Sequence, residues 1–136
     1  MPDTSEIRWQ QRFDNFQSAF DQLSRACEQE AYSPLELSGL IKIFELTFET
    51  AWKTLKDLLS YEGFDVNSPR SAIRQAFASG IIVDPKPWLE ALESRNLLSH
   101  TYDQSTADEA EALIKGRFLP MLLEVRETLR KRKDVR

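Results

Sequence analysis

The chain holds one cysteine, Cys27, and one histidine, His100. A lone cysteine excludes an internal disulfide and any cysteine-built metal cluster, and it fits a reducing compartment. A single histidine means that an acid and base pair of histidines would need two copies of the protein. Glycines number four and prolines six, mostly at segment edges, which leaves little room for a long linker. No apolar run approaches the ~20 residues that span a bilayer. The opening "MPDTSEIRWQ" lacks the apolar core of a signal peptide. A cytoplasmic protein without membrane association is therefore expected. Positive charge is not in excess either: the net charge is -4 and the pI about 5.1. That excludes general nucleic-acid binding through bulk charge, so any RNA contact must be local. There is no glycine-rich phosphate loop, serine-nucleophile motif or Glu-x-x-His pair. No metal or other cofactor is expected.

What is present is amphipathic helix. Hydrophobic residues make up 41% and charged residues 29% of 136, which suits one soluble domain over residues 1–136. Trp9, Phe13, Phe16, Phe20, Leu23 and Cys27 recur at steps of three and four, a continuous stripe over five turns. "SPLE" predicts a helix start, with Ser33 as N-cap, Pro34 at the first position and Glu36 closing a capping box. Leu37, Ile41, Phe44, Phe48, Trp52, Leu55 and Leu59 follow, and Gly63 is placed to end the helix. "NSPRSAIRQAFASG" reads as a short helix capped by Ser68 or Asn67 and closed by Gly80. Asp84-Pro85 begins another, which carries Trp88, Leu89 and Leu92 into "SRNLLSH". Thr106 with Glu109 offers a second capping box before the last stripe, Ala110, Ile114, Phe118, Met121, Val125 and Leu129. Pro120 lies inside that helix and should bend it, with crowding eased because residue 116 is a glycine. The expected fold is all-α: an antiparallel up-and-down four-helix bundle with one extra short helix. The tail "RETLRKRKDVR", about 126–136, has six basic residues in eleven and reads as a solvated or frayed helix end, or else a phosphate-facing patch.

The stretch "ESRNLLSHTYD" breaks the pattern. At ~100° per residue, Leu89, Leu92, Asn96 and His100 share one stripe, and Arg95, Ser99 and Tyr102 fall on its neighbour. A packing face thus turns polar, and each unpartnered polar group there costs about 1–3 kcal/mol. Arg95 and His100 could simply cap the carbonyl end of their helix. Alternatively they form a phosphate-handling site: Arg95 supplies a fork of donors to phosphate oxygens, and His100 moves a proton near neutral pH. Asn96, one turn before His100, would orient the imidazole or touch substrate, with Ser99 beside it.

This stretch also resembles the arginine–polar–variable–histidine signature of the HEPN superfamily, here Arg95-Asn96-Leu-Leu-Ser-His100. With "FELTFETAWKTLKDLL" (44–59) and "GFDVNSPRSAIRQAFASGII" (63–82), roughly residues 7–130 resemble its nucleotidyltransferase substrate-binding branch. The resemblance implies a helical bundle that forms a homodimer and partners a small nucleotidyltransferase, usually encoded beside it. HepT-type relatives are RNase toxins of toxin–antitoxin pairs, cutting RNA without metal. Carried over, Arg95 would stabilise phosphorane charge, His100 would assist attack by the ribose 2′-hydroxyl, and Asn96 would support that geometry. Tyr102, two residues beyond the histidine, would accept AMP from the transferase and so block the site by bulk and charge. The alternative is a non-catalytic subunit that presents a nucleotide or other substrate to the transferase; a third is a purely structural helical dimer. RNA cleavage leaves part of the second helix unexplained. Trp52 is most simply core, while Glu45, Glu49 and Lys53 either form an exposed ion-pair ladder or line a partner surface or the cleft near His100. Arg70 and Arg74 are solvated or help to hold phosphate.

Overall fold

The computed structural model describes residues 4–94 and 103–134. Those residues form an all-α helical bundle: α1 (Thr4–Ala26), α2 (Pro34–Tyr61), α3 (Pro69–Ala78), α4 (Lys86–Glu93), α5 (Gln104–Leu113) and α6 (Leu119–Asp134). A π-helical turn, Ile114–Phe118, joins α5 to α6 in one unbroken helical run. Among the described residues three rods are long and two are short. The expected fourth long helix is described only as α4, because its continuation through "SRNLLSH" falls on residues 95–102.

The expected stripes are the faces that pack. Trp9, Phe13, Phe16, Phe20 and Leu23 of α1 are buried against Leu37, Ile41, Phe44, Phe48, Trp52, Leu55 and Leu59 of α2. Burial of each such side chain contributes about 1.5–3 kcal/mol. Cys27, the last member of the first stripe, lies just past the helix end and is only half-buried. Antiparallel pairing of α1 with α2 is fixed by Arg12, which donates to Asp57 at 2.9 Å. Lys133, Arg130 and Arg126 of α6 meet Asp14, Gln17 and Asp21 of α1 at 2.9, 3.3 and 3.7 Å, so that pair is antiparallel too.

Helix ends follow local chemistry. Ser33 caps α2 in a full capping box with Glu36 and Pro34 at the first position, and Gly63 sits at φ +96 just beyond. Ser68 caps α3, and Gly80 follows it at φ +76. Thr47 and Thr54 are buried in α2 yet satisfied, each hydroxyl donating at 2.7 Å to the carbonyl four residues back. The second capping box is corrected. Asp103, not Thr106, caps α5, accepting from the Ser105 backbone N–H and from the hydroxyls of Ser105 and Thr106. Aspartate is at least as good an N-cap as threonine, and the helix starts at Gln104 with Ala107 and Ala110 buried.

Pro120 disturbs the last helix as a π turn. Proline has no N–H to give to Gly116. Just before it the ladder has already lengthened: the Leu119 N–H reaches the Ile114 carbonyl five residues back. The basic tail also differs from expectation. It is helical through Asp134, and four of its cations meet protein groups. Arg132 pairs with Glu62 of α2, Arg126, Arg130 and Lys133 reach α1, and Arg126 and Arg130 also approach Glu127 of α6, while Lys131 is exposed.

Candidate functional site

The arginine–histidine stretch follows α4 and precedes α5 in the chain, and the described residues on its two flanks are firmly seated. Trp88 of α4 is buried, with its ring 6.0 Å from Phe48; Phe48 neighbours Phe44, which stacks on Phe118 of the π turn at 5.1 Å. Glu90 accepts from Arg117 of that turn. Ala91 completes the buried face, and Leu89 and Leu92 pack partly against it. α4 ends with Ser94, whose N–H bonds to the Glu90 carbonyl at 2.9 Å. On the far side the Asp103 cap starts α5, which packs on α2. Both flanks are therefore built into the bundle by aromatic packing and capping. The sequence-predicted residues Arg95, Asn96, Ser99, His100 and Tyr102 lie outside the described residues.

The second-helix candidates can be placed. Glu49 accepts the Trp52 indole N–H at 3.0 Å and lies 3.9 Å from the Lys53 ammonium; Lys42 and Glu45 approach to 3.7 Å. Of the expected Glu45–Glu49–Lys53 ladder the Glu49–Lys53 pair forms, while Glu45 turns to Lys42 instead; both pairs lie where such ions contribute about 0–1 kcal/mol. Trp52 is buried, as expected of a core residue. Arg70 and Arg74 are both exposed on α3. Among the described residues, no three of His, Cys, Asp and Glu converge to hold a metal ion.

One polar knot has no counterpart in the sequence pattern. Lys115, in the π turn, donates to the Gln29 carbonyl at 2.7 Å and to Glu111 at 3.2 Å, and lies 4.5 Å from the centre of the Tyr32 ring. Tyr32 donates to the Ala26 carbonyl. Burial pulls the Lys115 ammonium down, but hydrogen bonding with Tyr32 and Glu111 outweighs it, and the net shift is upward. Burial pushes the neighbouring Cys27 thiol up, against the opposing charge of Lys115. The knot ties the α1–α2 loop to the start of the last helix. A lysine eighty-six residues from its carbonyl partner leaves no local signal.

Residues 11–131 match the family described as "Nucleotidyltransferase substrate binding protein like". The chain belongs to that family. A "Probable ribonuclease HepT" from Haemophilus influenzae is 31% identical over 76 residues, 52% of this chain and 52% of that protein. The match thus spans about half the length of that curated relative. A crystal structure from Thermus thermophilus superposes with a TM-score of 0.71 at 30% identity, covering 87% of this chain and 98% of that one. In this nucleotidyltransferase substrate-binding family member, no helix among the described residues is long and apolar enough to cross a membrane.

Proposed function

We propose that this protein is an RNase toxin working as a homodimer and restrained by a small nucleotidyltransferase that places AMP on Tyr102. One observation carries the reading: Arg95-Asn96-x-x-x-His100 lies in sequence between α4 and α5, both packed into the bundle, in a chain 31% identical, over half its length, to a probable ribonuclease HepT. The chemistry is internal transfer at phosphorus. The ribose 2′-oxygen attacks the adjacent phosphorus, and the bond from phosphorus to the 5′-oxygen breaks. Products end in a 2′,3′-cyclic phosphate and a 5′-hydroxyl. One His100 removes the 2′-hydroxyl proton while the partner subunit's His100 protonates the leaving oxygen. Arg95 offers its planar donors to the charge that grows on the non-bridging oxygens. AMP on Tyr102 would set a phosphate beside both groups and repel RNA.

A second reading has its own support. The family is described by substrate binding, which suits a non-catalytic subunit that presents a nucleotide to the transferase. Purified protein incubated with RNA separates the two. The toxin reading expects cyclic-phosphate ends from wild type, none from His100→Ala, and an AMP adduct by intact mass, after the transferase and ATP are added, that Tyr102→Phe lacks. Intact RNA with unmodified wild type, or equal cleavage by His100→Ala, overturns the catalytic assignment.

A further inference from the structure

Most arginines among the described residues are already matched by carboxylates. Arg12, Arg117, Arg126, Arg130 and Arg132 pair with Asp57, Glu90, Asp21, Glu127 and Glu62. Arg8 and Arg25, near opposite ends of α1, are unmatched singly among the described residues, whereas Arg70 and Arg74 are unmatched as a pair. They stand one turn apart on α3, both exposed, and among the described residues neither has a hydrogen-bonding or ion-pair partner. Both line an open groove of about 530 Å³. Ser68, Ser71 and Gln75 line it too, and Asp65 is its one carboxylate. The helix that carries them is held from behind, because Ala72, Ile73 and Ala76 are fully buried and Ser68 and Ser71 complete its capping box. α3 packs against α4, and α4 leads directly, past Ser94, into Arg95.

We propose that this groove is a second phosphate-contacting surface, where Arg70 and Arg74 grip the backbone of single-stranded RNA. The proposal rests on the RNase reading and deepens it by assigning how an acidic protein holds a polyanion. With a net charge of -4, bulk attraction is absent, so affinity must come from a local pair of unneutralised cations. Arginine suits the role because its guanidinium forks onto phosphate oxygens. The spacing favours a chain over a compact triphosphate. A triphosphate concentrates its charge at one point. Here two arginines stand one helical turn apart at an open surface, about 5–6 Å between their Cβ atoms, so that each can meet a different phosphate of a strand.

The test measures binding of a fluorescein-labelled single-stranded RNA to full-length protein carrying His100→Ala, across a salt series. Adding Arg70→Gln/Arg74→Gln should weaken binding about tenfold and flatten the log–log salt slope by about 1.4, the share of two phosphate contacts on a single strand. Adding Arg8→Gln/Arg25→Gln instead removes the same charge from exposed positions on α1 and should change binding less than twofold. Arg70→Lys/Arg74→Lys, which keeps the charge without the fork, should retain the slope at intermediate affinity. Equal losses in the two glutamine pairs, or no loss at the groove, overturn the groove assignment while leaving the catalytic one standing. No RNA binding by the parent overturns both. Displacement of RNA by ATP that needs Arg70 and Arg74, at concentrations far below those at which unlabelled RNA competes, overturns RNA as the occupant in favour of a nucleotide.

Discussion

Two basic surfaces of this protein read alike as sequence and behave oppositely as structure. The last turns of α6 are dense in arginine and lysine, yet Arg126, Arg130, Arg132 and Lys133 are matched by Asp21, Gln17, Glu127, Glu62 and Asp14. α3 carries only Arg70 and Arg74, and neither is matched among the described residues. A dense run of cations can thus be an internal fastening, while a sparse pair stays unmatched. Local charge density is a poor guide. What matters is whether an opposing helix presents acids in register, as α1 does for α6.

The comparison sharpens if charges of the first kind cost stability when removed and leave RNA binding intact. The largest effect should come from Asp57, whose side chain is 9% exposed against 44% for its partner Arg12. Asp57→Ala leaves a guanidinium that can still turn to water, so the loss should fall at about 1–3 kcal/mol, below that of a fully buried pair. Urea unfolding measures it through the midpoint at unchanged slope. A loss under about 0.5 kcal/mol would mean that the pair aligns α1 with α2 without stabilising them.

Arg126 comes next. Its side chain is 19% exposed, its guanidinium carbon lies 5.1 Å from the Phe20 ring centre, and its nearest acid is Asp21 at 3.7 Å. The stem and the stacked head contribute more here than the ion pair does. Arg126→Ala should cost about 1–2 kcal/mol and Arg126→Met roughly half of that, both with unaltered RNA affinity. Weakened RNA binding in a folded Arg126→Met protein would break the contrast, because the tail would then contact phosphate as well as α1.

How much of this is readable beforehand depends on the range of the interaction. The stripes on α1 and α2, the Ser33 box and the breaks at Gly63 and Gly80 are local, and all are visible in sequence. Pro120 announces a disturbance, but not that it takes the form of a π turn over Ile114–Phe118. Asp103 escapes notice as a cap because Thr106 and Glu109 imitate one, and only the hydrogen bonds that Asp103 accepts decide between them. The tail misleads for a reason of range: Asp14, Gln17 and Asp21 flank the apolar stripe of α1 at steps of three and four, a complement visible only once the two helices are known to be antiparallel. For the site, sequence singles out Arg95, Asn96, His100 and Tyr102, which lie outside the described residues. It also points to Arg70 and Arg74, but cannot show that they share a groove.

The smallest effect concerns a charge satisfied by backbone instead of by a cation. Glu36 accepts the Ser33 N–H at 2.9 Å. That bond first, then the side chains of Gln29 and Ser33, hold its carboxyl below the ordinary glutamate value. A carboxyl depressed in the folded state stabilises above its unfolded pKa, and the contribution fades as pH falls through the folded one. Glu36→Gln keeps an oxygen able to close the capping box and removes only the charge. The stability gap between wild type and Glu36→Gln should therefore be full at about pH 7 and narrow below about pH 4.3, the unperturbed glutamate value. Thermal melts in buffers spanning that range would trace it. A gap that stays constant would place the stabilisation in the shape of the box and not in its charge. Glu36 would then leave the group of charges whose removal separates fastening from binding.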